Sequence, residues 1–325
     1  MRTALVLGAG GFIGTHLVGD LVHRGYQVRG VDLKEPGFSK TEAHEFLLRD
    51  LRFKSSVEEV FDRSFDEVYQ LAADMGGAGY IFSGTHDADV VHNSAMINLN
   101  VAERAADVGC GKLFFSSSAC AYPRENQTDP GNPRCDEVSA FPANPDSPYG
   151  WEKLFSEIVY DCFRRNHGLV VKVARFHNIF GELSAWRGGR EKAPAALCRK
   201  VAEAAGEAVE VEVWGAGMQT RSFLYIEECL EGVRRLMESS DFDGPVNIGS
   251  EEMVTINELA YLIAEVAGKK IMIKNIPGFV GVAGRNSDNR LIREKLGWVP
   301  SRTLRYGITR LYKWIEEQVR QHGND

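Results

Sequence analysis

The chain is expected to fold as an α/β protein, a doubly wound parallel (Rossmann) sheet with a smaller, interleaved C-terminal lobe. Three observations predict it. An apolar run, Ala4 to Leu7, leads into a glycine-rich turn and then a helical pattern. Short apolar runs alternate with amphipathic stretches until about residue 178. After that the pattern loosens and gains Gly, Pro and charge, yet a strand–helix unit returns at 223–238. Unbroken apolar runs suit strands covered on both faces, and parallel strands need crossovers, usually helical.

The opening strand is expected over Thr3–Leu7, and its helix around Leu17, Val18, Leu21 and Val22. The next strand, 27–31, ends at Asp32, and a third candidate precedes Asp50. Further strands are expected at 67–71, 112–115 and 170–174, with helices at 95–106 and 151–165 between them. Later come a short strand at 246–249 and helices at 257–267 and 304–318. The chain therefore divides into residues 1–178, joined by a return segment at about 223–250, and a lobe made of 179–222 and 251–325. Ligands of such sheets sit at the carboxyl ends of the strands.

With 325 residues, 44% hydrophobic and 26% charged, the chain has an ordinary globular composition and enough length for a large core. Its net charge of −7 argues against a general nucleic-acid or membrane surface. A local basic cluster, Arg187, Arg190, Lys192, Arg199 and Lys200, still suits a small anionic ligand. The six cysteines show no CxxC spacing, so neither metal nor disulfide is expected, and reduced thiols fit a cytoplasmic protein. The apolar stretch behind Arg2 is too short for a signal sequence, and no run is long enough to cross a bilayer.

Gly8, Gly11 and Gly14, with Phe12 and Ile13 opening the helix, follow the first strand directly. Glycines there permit a tight turn and let backbone amides approach a pyrophosphate. Asp32 at the second strand end can accept both ribose hydroxyls and would repel a 2′-phosphate, which favours NAD over NADP. Asp50 is a candidate adenine contact, and Leu71, Ala72 and Ala73 are expected beside the cofactor.

Tyr149 and Lys153, spaced i and i+4, share one helix face. The ammonium is expected to favour the phenolate, which can take a hydroxyl proton while a hydride leaves the same carbon. Ser118 can share that proton, and Lys153 can also reach the nicotinamide ribose. Glycine turn, acidic strand end, serine-rich strand end and YxxxK occur in an order that resembles the extended branch of the short-chain dehydrogenase/reductase superfamily.

Longer strings narrow the resemblance. The segments beginning at Leu71, Ser117, Arg175, Gly188, Trp214 and Gly284 resemble the GDP-mannose 3,5-epimerase family, and the likeness runs nearly end to end. It implies NAD as cofactor, a GDP-hexose as substrate, and transient oxidation at C4 with Tyr149 as base. It further implies proton exchange at C3 and C5 by Cys120 and Lys192, then re-reduction at C4. It implies substrate contacts at Gly76, Ser118, Ala119, Cys120, Asn178, Glu191, Lys192, Ala193, Lys200, Gln219, Thr220, Arg221 and Arg285. The two arginines serve there as diphosphate ligands, and Gly76 as clearance for the sugar.

Two departures stand out: the paired glycines come second in the turn, and 201–213 is a few residues longer than in plant members. A relative acting on another nucleotide sugar or at a single carbon remains open, as does a non-catalytic NAD(H)-sensing module. A 4,6-dehydratase is disfavoured because Ala119-Cys120 replaces its Asp-Glu pair, and a 4-epimerase leaves Cys120 and Lys192 without a task. The wide apolar stripe on 151–165 suits a homodimer, as the extended branch often forms.

Overall fold

The computed structural model describes residues 1–206 and 208–322. Seven strands form one parallel sheet: β1 (Thr3–Leu7), β2 (Gln27–Asp32), β3 (Glu45–Leu48), β4 (Glu67–Gln70), β5 (Lys112–Ser118), β6 (Val171–Phe176) and β7 (Val246–Ile248). Their spatial order is β7-β6-β5-β4-β1-β2-β3, the doubly wound arrangement expected from the alternating pattern.

The unbroken apolar run of β1 has a direct cause. Ala4 and Val6 enter one core and Leu5 and Leu7 the other, so both faces need apolar side chains. Helices α1 (Phe12–His23) and α5 (Ile226–Glu238) cover the first face. Helices α2 (Asp87–Asp107) and α3 (Pro148–His167) cover the second. Three more helices, α4 (Ala193–Glu203), α6 (Ile256–Ala267) and α7 (Leu304–His322), pack on one another in the later part of the chain. Beside them lie a parallel strand pair, Ala208–Trp214 with Lys270–Ile276, and a three-stranded sheet of Met253–Thr255, Thr220–Ser222 and Gly284–Arg285. None of the described helices is long and apolar enough to cross a membrane.

Several elements exceed their expected bounds, and two of them show why. β5 continues three residues past Phe115, because Ser116, Ser117 and Ser118 pair with Ala174, Arg175 and Phe176. Polar residues sit comfortably in this strand because Ser117 Oγ donates to Glu157 at 2.5 Å, and Glu157 forms a buried pair with Arg175 at 2.7 Å. α2 begins at Asp87, with Asp87 and Asp89 in its first turn, where carboxylates favour a helix start.

A buried polar knot ties the end of the sheet to the later segments. Tyr122 Oη and His177 Nε2 both donate to Asn247 Oδ1, at 2.7 and 2.8 Å. Asn247 Nδ2 in turn donates to the carbonyls of Cys135 and Asp288. His177 is neutral here, and burial pushes its pKa from 6.5 down to about 3. Between those values the unfolded chain binds a proton that the folded chain refuses, so stability rises with pH. Urea unfolding across this range should show stability falling as pH drops below 6.5, with a shallower slope in His177→Gln. Identical slopes in the two chains would contradict the assignment.

Candidate active site

The first part of the site is the turn between β1 and α1. Gly8 has φ +87°, and a Cβ there would lie 2.8 Å from the Ala72 amide nitrogen. A Cβ on Gly14 would lie 2.0 Å from the Gly8 carbonyl oxygen. Both glycines are therefore demanded by close backbone passage. The first turn of α1 has no side-chain cap, leaving its amides for an anion. Asp32 closes the cradle, accepting from the amides of Gly10 at 2.9 Å and Leu33 at 2.7 Å. Burial raises its pKa against those donors, and its oxygens keep lone pairs for further donors. Leu71 joins β1 through its amide on the Leu7 carbonyl at 3.0 Å, which sets Ala72 and Ala73 beside the turn. This cradle fits a dinucleotide. Asp50 departs from expectation: Arg52 grips its carboxylate at 2.6 Å and holds it below the usual range, so it is not a free adenine acceptor.

The second part is the start of α3. Ser147 caps it by accepting from the Gly150 amide at 3.3 Å, and Pro148 occupies its first turn. Tyr149 and Lys153 then fall on one buried face. The Lys153 ammonium donates to the Ser116 carbonyl at 3.1 Å and lies 5.7 Å from the Tyr149 ring centre. Ser118 Oγ accepts from the Cys120 amide at 3.2 Å and lies near enough to Tyr149 to act on its phenol. The expected lowering of Tyr149 by Lys153 is not what this geometry produces. Burial drives the phenol well above its ordinary value, opposed by Ser118 and Arg285. Burial also lowers Lys153, opposed by Glu152 and Glu157.

Gly150 is a site residue that the sequence reading missed. A Cβ there would stand 2.1 Å from the Cys120 carbonyl oxygen, so only glycine lets α3 abut the 3₁₀ turn Ala119–Ala121. Its position between Tyr149 and Trp151 was the available signal.

Cys120 and Lys192 form the third part. Arg285 Nη1 donates to Cys120 Sγ at 3.0 Å, Nη2 to Asp146 at 2.9 Å and Nε to Gln127 at 2.5 Å. Arg285 is 6% exposed, and each of its three nitrogens holds a protein partner. Asp146 and Gln127 were also missed, since no spacing links them to residue 285. Lys192 is the N-cap of α4, and burial lowers its ammonium against the electrostatic pull of Cys120 and Cys229. Glu191 accepts from the Gly189 amide at 2.7 Å and pairs with Arg199, while Ala193 begins α4 and Ala119 is buried.

Of the expected nucleotide contacts, Arg221 is the clearest. Its guanidinium donates only to carbonyls, those of Thr220, Val280 and Val282 at 2.7–3.1 Å. It has no ion pair among the described residues, and burial together with Arg285 lowers it to about 10. An uncompensated cation of this kind invites an anion. Asn178, at φ 44°, donates to the Ser222 carbonyl, and Lys200 to the Glu212 carbonyl. Gln219 donates to Trp214 O at 3.3 Å and Thr220 Oγ1 to Pro130 O at 2.5 Å. At Gly76 a Cβ would lie 2.7 Å from the Tyr80 side chain, so the protein's own packing already demands glycine there. The close passage belongs to Gly77, whose Cβ would lie 2.2 Å from the Glu191 carbonyl oxygen.

Gly150→Ala should destabilise the chain by about 1–3 kcal/mol through the overpacked α3 contact. Urea denaturation with an unchanged midpoint would show that α3 does not abut Cys120.

Comparison with known proteins agrees with this geometry. The model of the NAD dependent epimerase/dehydratase family matches residues 4–249. A GDP-mannose 3,5-epimerase of Arabidopsis thaliana is 44% identical over 97% of this chain and 82% of its own length. GDP-mannose 3,5-epimerase 1 of Oryza sativa subsp. indica is 45% identical over the same shares. Among solved structures, a UDP-glucose 4-epimerase from Thermotoga maritima, crystallised with UDP-glucose, superposes with TM-score 0.86 at 26% identity, covering 98% of this chain and all of its own. A UDP-glucose 4-epimerase of Thermus thermophilus shares the fold at TM-score 0.82 and 24% identity, covering 97% of this chain and 99% of its own. The chain thus belongs to the NAD dependent epimerase/dehydratase family and, within it, to the GDP-mannose 3,5-epimerase family.

Proposed function

We propose that this chain epimerises GDP-mannose at C3 and C5, yielding GDP-L-galactose or GDP-L-gulose. The observation that carries the reading is the Arg285 guanidinium on the Cys120 sulfur at 3.0 Å, one turn from the Ser118–Tyr149 pair. A hydride-transfer phenol and a charge-supported thiol then face one substrate, which a simple dehydrogenase would not require.

Residues 1–178 with the return segment 223–250 would hold NAD, through Gly8, Gly11, Phe12, Ile13, Gly14, Asp32, Leu71, Ala72, Ala73, Tyr149 and Lys153. Bound NAD supplies a reversible hydride acceptor for the sugar C4. Tyr149, in its phenolate form, would take the C4 hydroxyl proton, with Ser118 sharing it, and Lys153 would hold the phenolate and the nicotinamide ribose. Oxidation at C4 makes the C3 and C5 hydrogens acidic. Cys120 then removes a proton from one face and Lys192 returns one to the other. Burial of Lys192 suits this role, since a lowered ammonium gives up its proton more readily. Segments 179–222 and 251–325 would bind the GDP-sugar, with Arg221 on the diphosphate and Asn178, Lys200, Gln219 and Thr220 around it. The remote diphosphate contributes binding energy that holds the hexose in position.

We also infer a homodimer. Trp151, Phe155 and Ile158 form an exposed apolar stripe on α3, 46–48% accessible, and Val91 and Leu99 are exposed on α2, which packs beside it. A second copy of the same face would cover them. Six free thiols fit a reducing cytoplasm.

Incubating the holoenzyme with GDP-mannose in deuterated water, followed by NMR of the products, tests the main reading. Cys120→Ala should lower deuterium entry at C5 about a hundredfold or more while NAD stays bound. Tyr149→Phe should prevent enzyme-bound NADH from forming. Full-rate wash-in for the first variant, or a normal NADH signal for the second, would contradict the roles given. Loss of the Lys192 proton predicts an alkaline fall in wash-in at a pH below the 10.5 of free lysine. Sedimentation that finds only monomer would rule out the dimer.

A further inference from the structure

The loop that carries Lys192 is held from outside the catalytic set. Gly188 and Gly189 both have positive φ, +93° and +85°, and no atom lies near where their Cβ atoms would stand. The loop therefore leaves Trp186 through a double-glycine bend that packs against no side chain and is tied locally by the Gly189 amide on the Glu191 carboxylate at 2.7 Å. Arg190 anchors it to a separate part of the fold, its guanidinium carbon lying 4.1 Å from the Tyr80 ring centre. The same side chain donates to the Met75 carbonyl at 3.4 Å and sits 3.8 Å from Asp74. The backbone adds a second tie, because the Gly77 amide donates to the Arg190 carbonyl at 3.1 Å.

The surface that receives Arg190 is itself rigidly built. Tyr80 Oη donates to Asp74 Oδ1 at 2.9 Å, and Asn93 Nδ2 to Asp74 Oδ2 at 2.9 Å. The Tyr80 ring stacks on His86 with centres 4.2 Å apart. Tyr80 also belongs to a small apolar cluster with Ile81, Val90 and Tyr149, against which Met75, Phe82 and Cys120 pack. The clamp thus refers the Lys192 loop to the same cluster that packs against the phenol and the thiol.

We propose that Arg190, seated on Tyr80, is the positioning residue for the Lys192 ammonium, setting its place relative to Cys120 and Tyr149. The inference rests on the acid/base reading of Lys192 given above. An arginine suits the task because its planar cation stacks on an aromatic face while its N–H groups reach a carbonyl. Releasing the clamp frees the double-glycine bend and displaces the ammonium, but leaves the glycine turn, Asp32, Tyr149 and Lys153 untouched. Proton exchange should therefore fail selectively while hydride transfer continues.

The test uses holoenzyme variants Arg190→Ala, Arg190→Lys and Tyr80→Leu, with Lys192→Met as reference. Each is followed by deuterium wash-in from solvent, by enzyme-bound NADH formation with GDP-mannose, and by amide hydrogen exchange over 187–192. Arg190→Ala and Tyr80→Leu should lose about tenfold to a hundredfold in wash-in, with NADH formation within about twofold of the unaltered chain. Amide exchange of the loop should quicken in both, and Arg190→Lys should fall between them and the unaltered chain. If Lys192→Met abolishes wash-in while Arg190→Ala keeps it, the clamp is refuted and the lysine's role stands. Equal loss of NADH formation and wash-in in Arg190→Ala would also refute it, as a general collapse of the site. Full wash-in in Lys192→Met would refute the acid/base reading, and the clamp with it.

Discussion

Arg285 reaches from a short edge strand of the small three-stranded sheet to a sulfur on the turn after β5. Removing a guanidinium from water costs several kcal/mol unless its protons find partners and its charge an anion. Asp146 supplies the anion, while Gln127 and Cys120 take other protons, so the buried charge is satisfied in one arrangement only. That arrangement joins the later segments to the sheet at the atom proposed to do the proton chemistry. Arg221, the register partner of Arg285 on the adjacent strand, donates to carbonyls and meets no carboxylate among the described residues. Two neighbouring arginines thus differ in kind: one pairs with a carboxylate of the protein, and the other donates to backbone carbonyls.

The same burial that makes charge costly sorts the titratable groups. Tyr149 is pushed up, Lys153 and Lys192 are pushed down, and His177 stays neutral. The lowered Lys153 and Lys192 move toward the balance of two protonation states that acid/base chemistry needs, whereas burial moves Tyr149 away from it, and structural knots such as His177–Asn247 show shifts as well. Geometry separates the two cases. His177 is enclosed by partners that hold the sheet end together, whereas Tyr149, Cys120 and Lys192 converge from a helix start, a 3₁₀ turn and a helix N-cap. Such termini bring side chains together at the carboxyl ends of the strands, where a doubly wound sheet leaves its crevice.

Much of this was legible in the chain itself. The strand–helix alternation predicted the sheet, because buried parallel strands must be apolar on both faces and β1 is. The glycine turn, Asp32, Ser118, Tyr149 and Lys153 declared themselves through local spacing on single elements. The family resemblance brought Cys120 and Lys192, whose neighbouring residues form long matching strings. Where polar residues extended an element, as in Ser116–Ser118 of β5, the reading stopped short, since the Glu157–Arg175 pair that accommodates them lies far off in sequence.

Local spacing and residue type determined the elements, the cofactor turn and the Tyr149–Lys153 pair, because a helix or a strand imposes its own period on neighbouring residues, while Cys120 and Lys192 came from the family resemblance. Only the tertiary structure decided partnership. It set Arg285 on Cys120, made Gly150 the gap that admits the Cys120 carbonyl, and placed Tyr80 against Gly76 and the loop crossing at Gly77. It also gave Asp50 to Arg52 and Arg190 to Tyr80. Most of these contacts join residues widely separated along the chain, where no helical or strand period operates. Their physical basis is steric fit and the cost of burying unpaired charge, and both arise only once the chain has closed on itself.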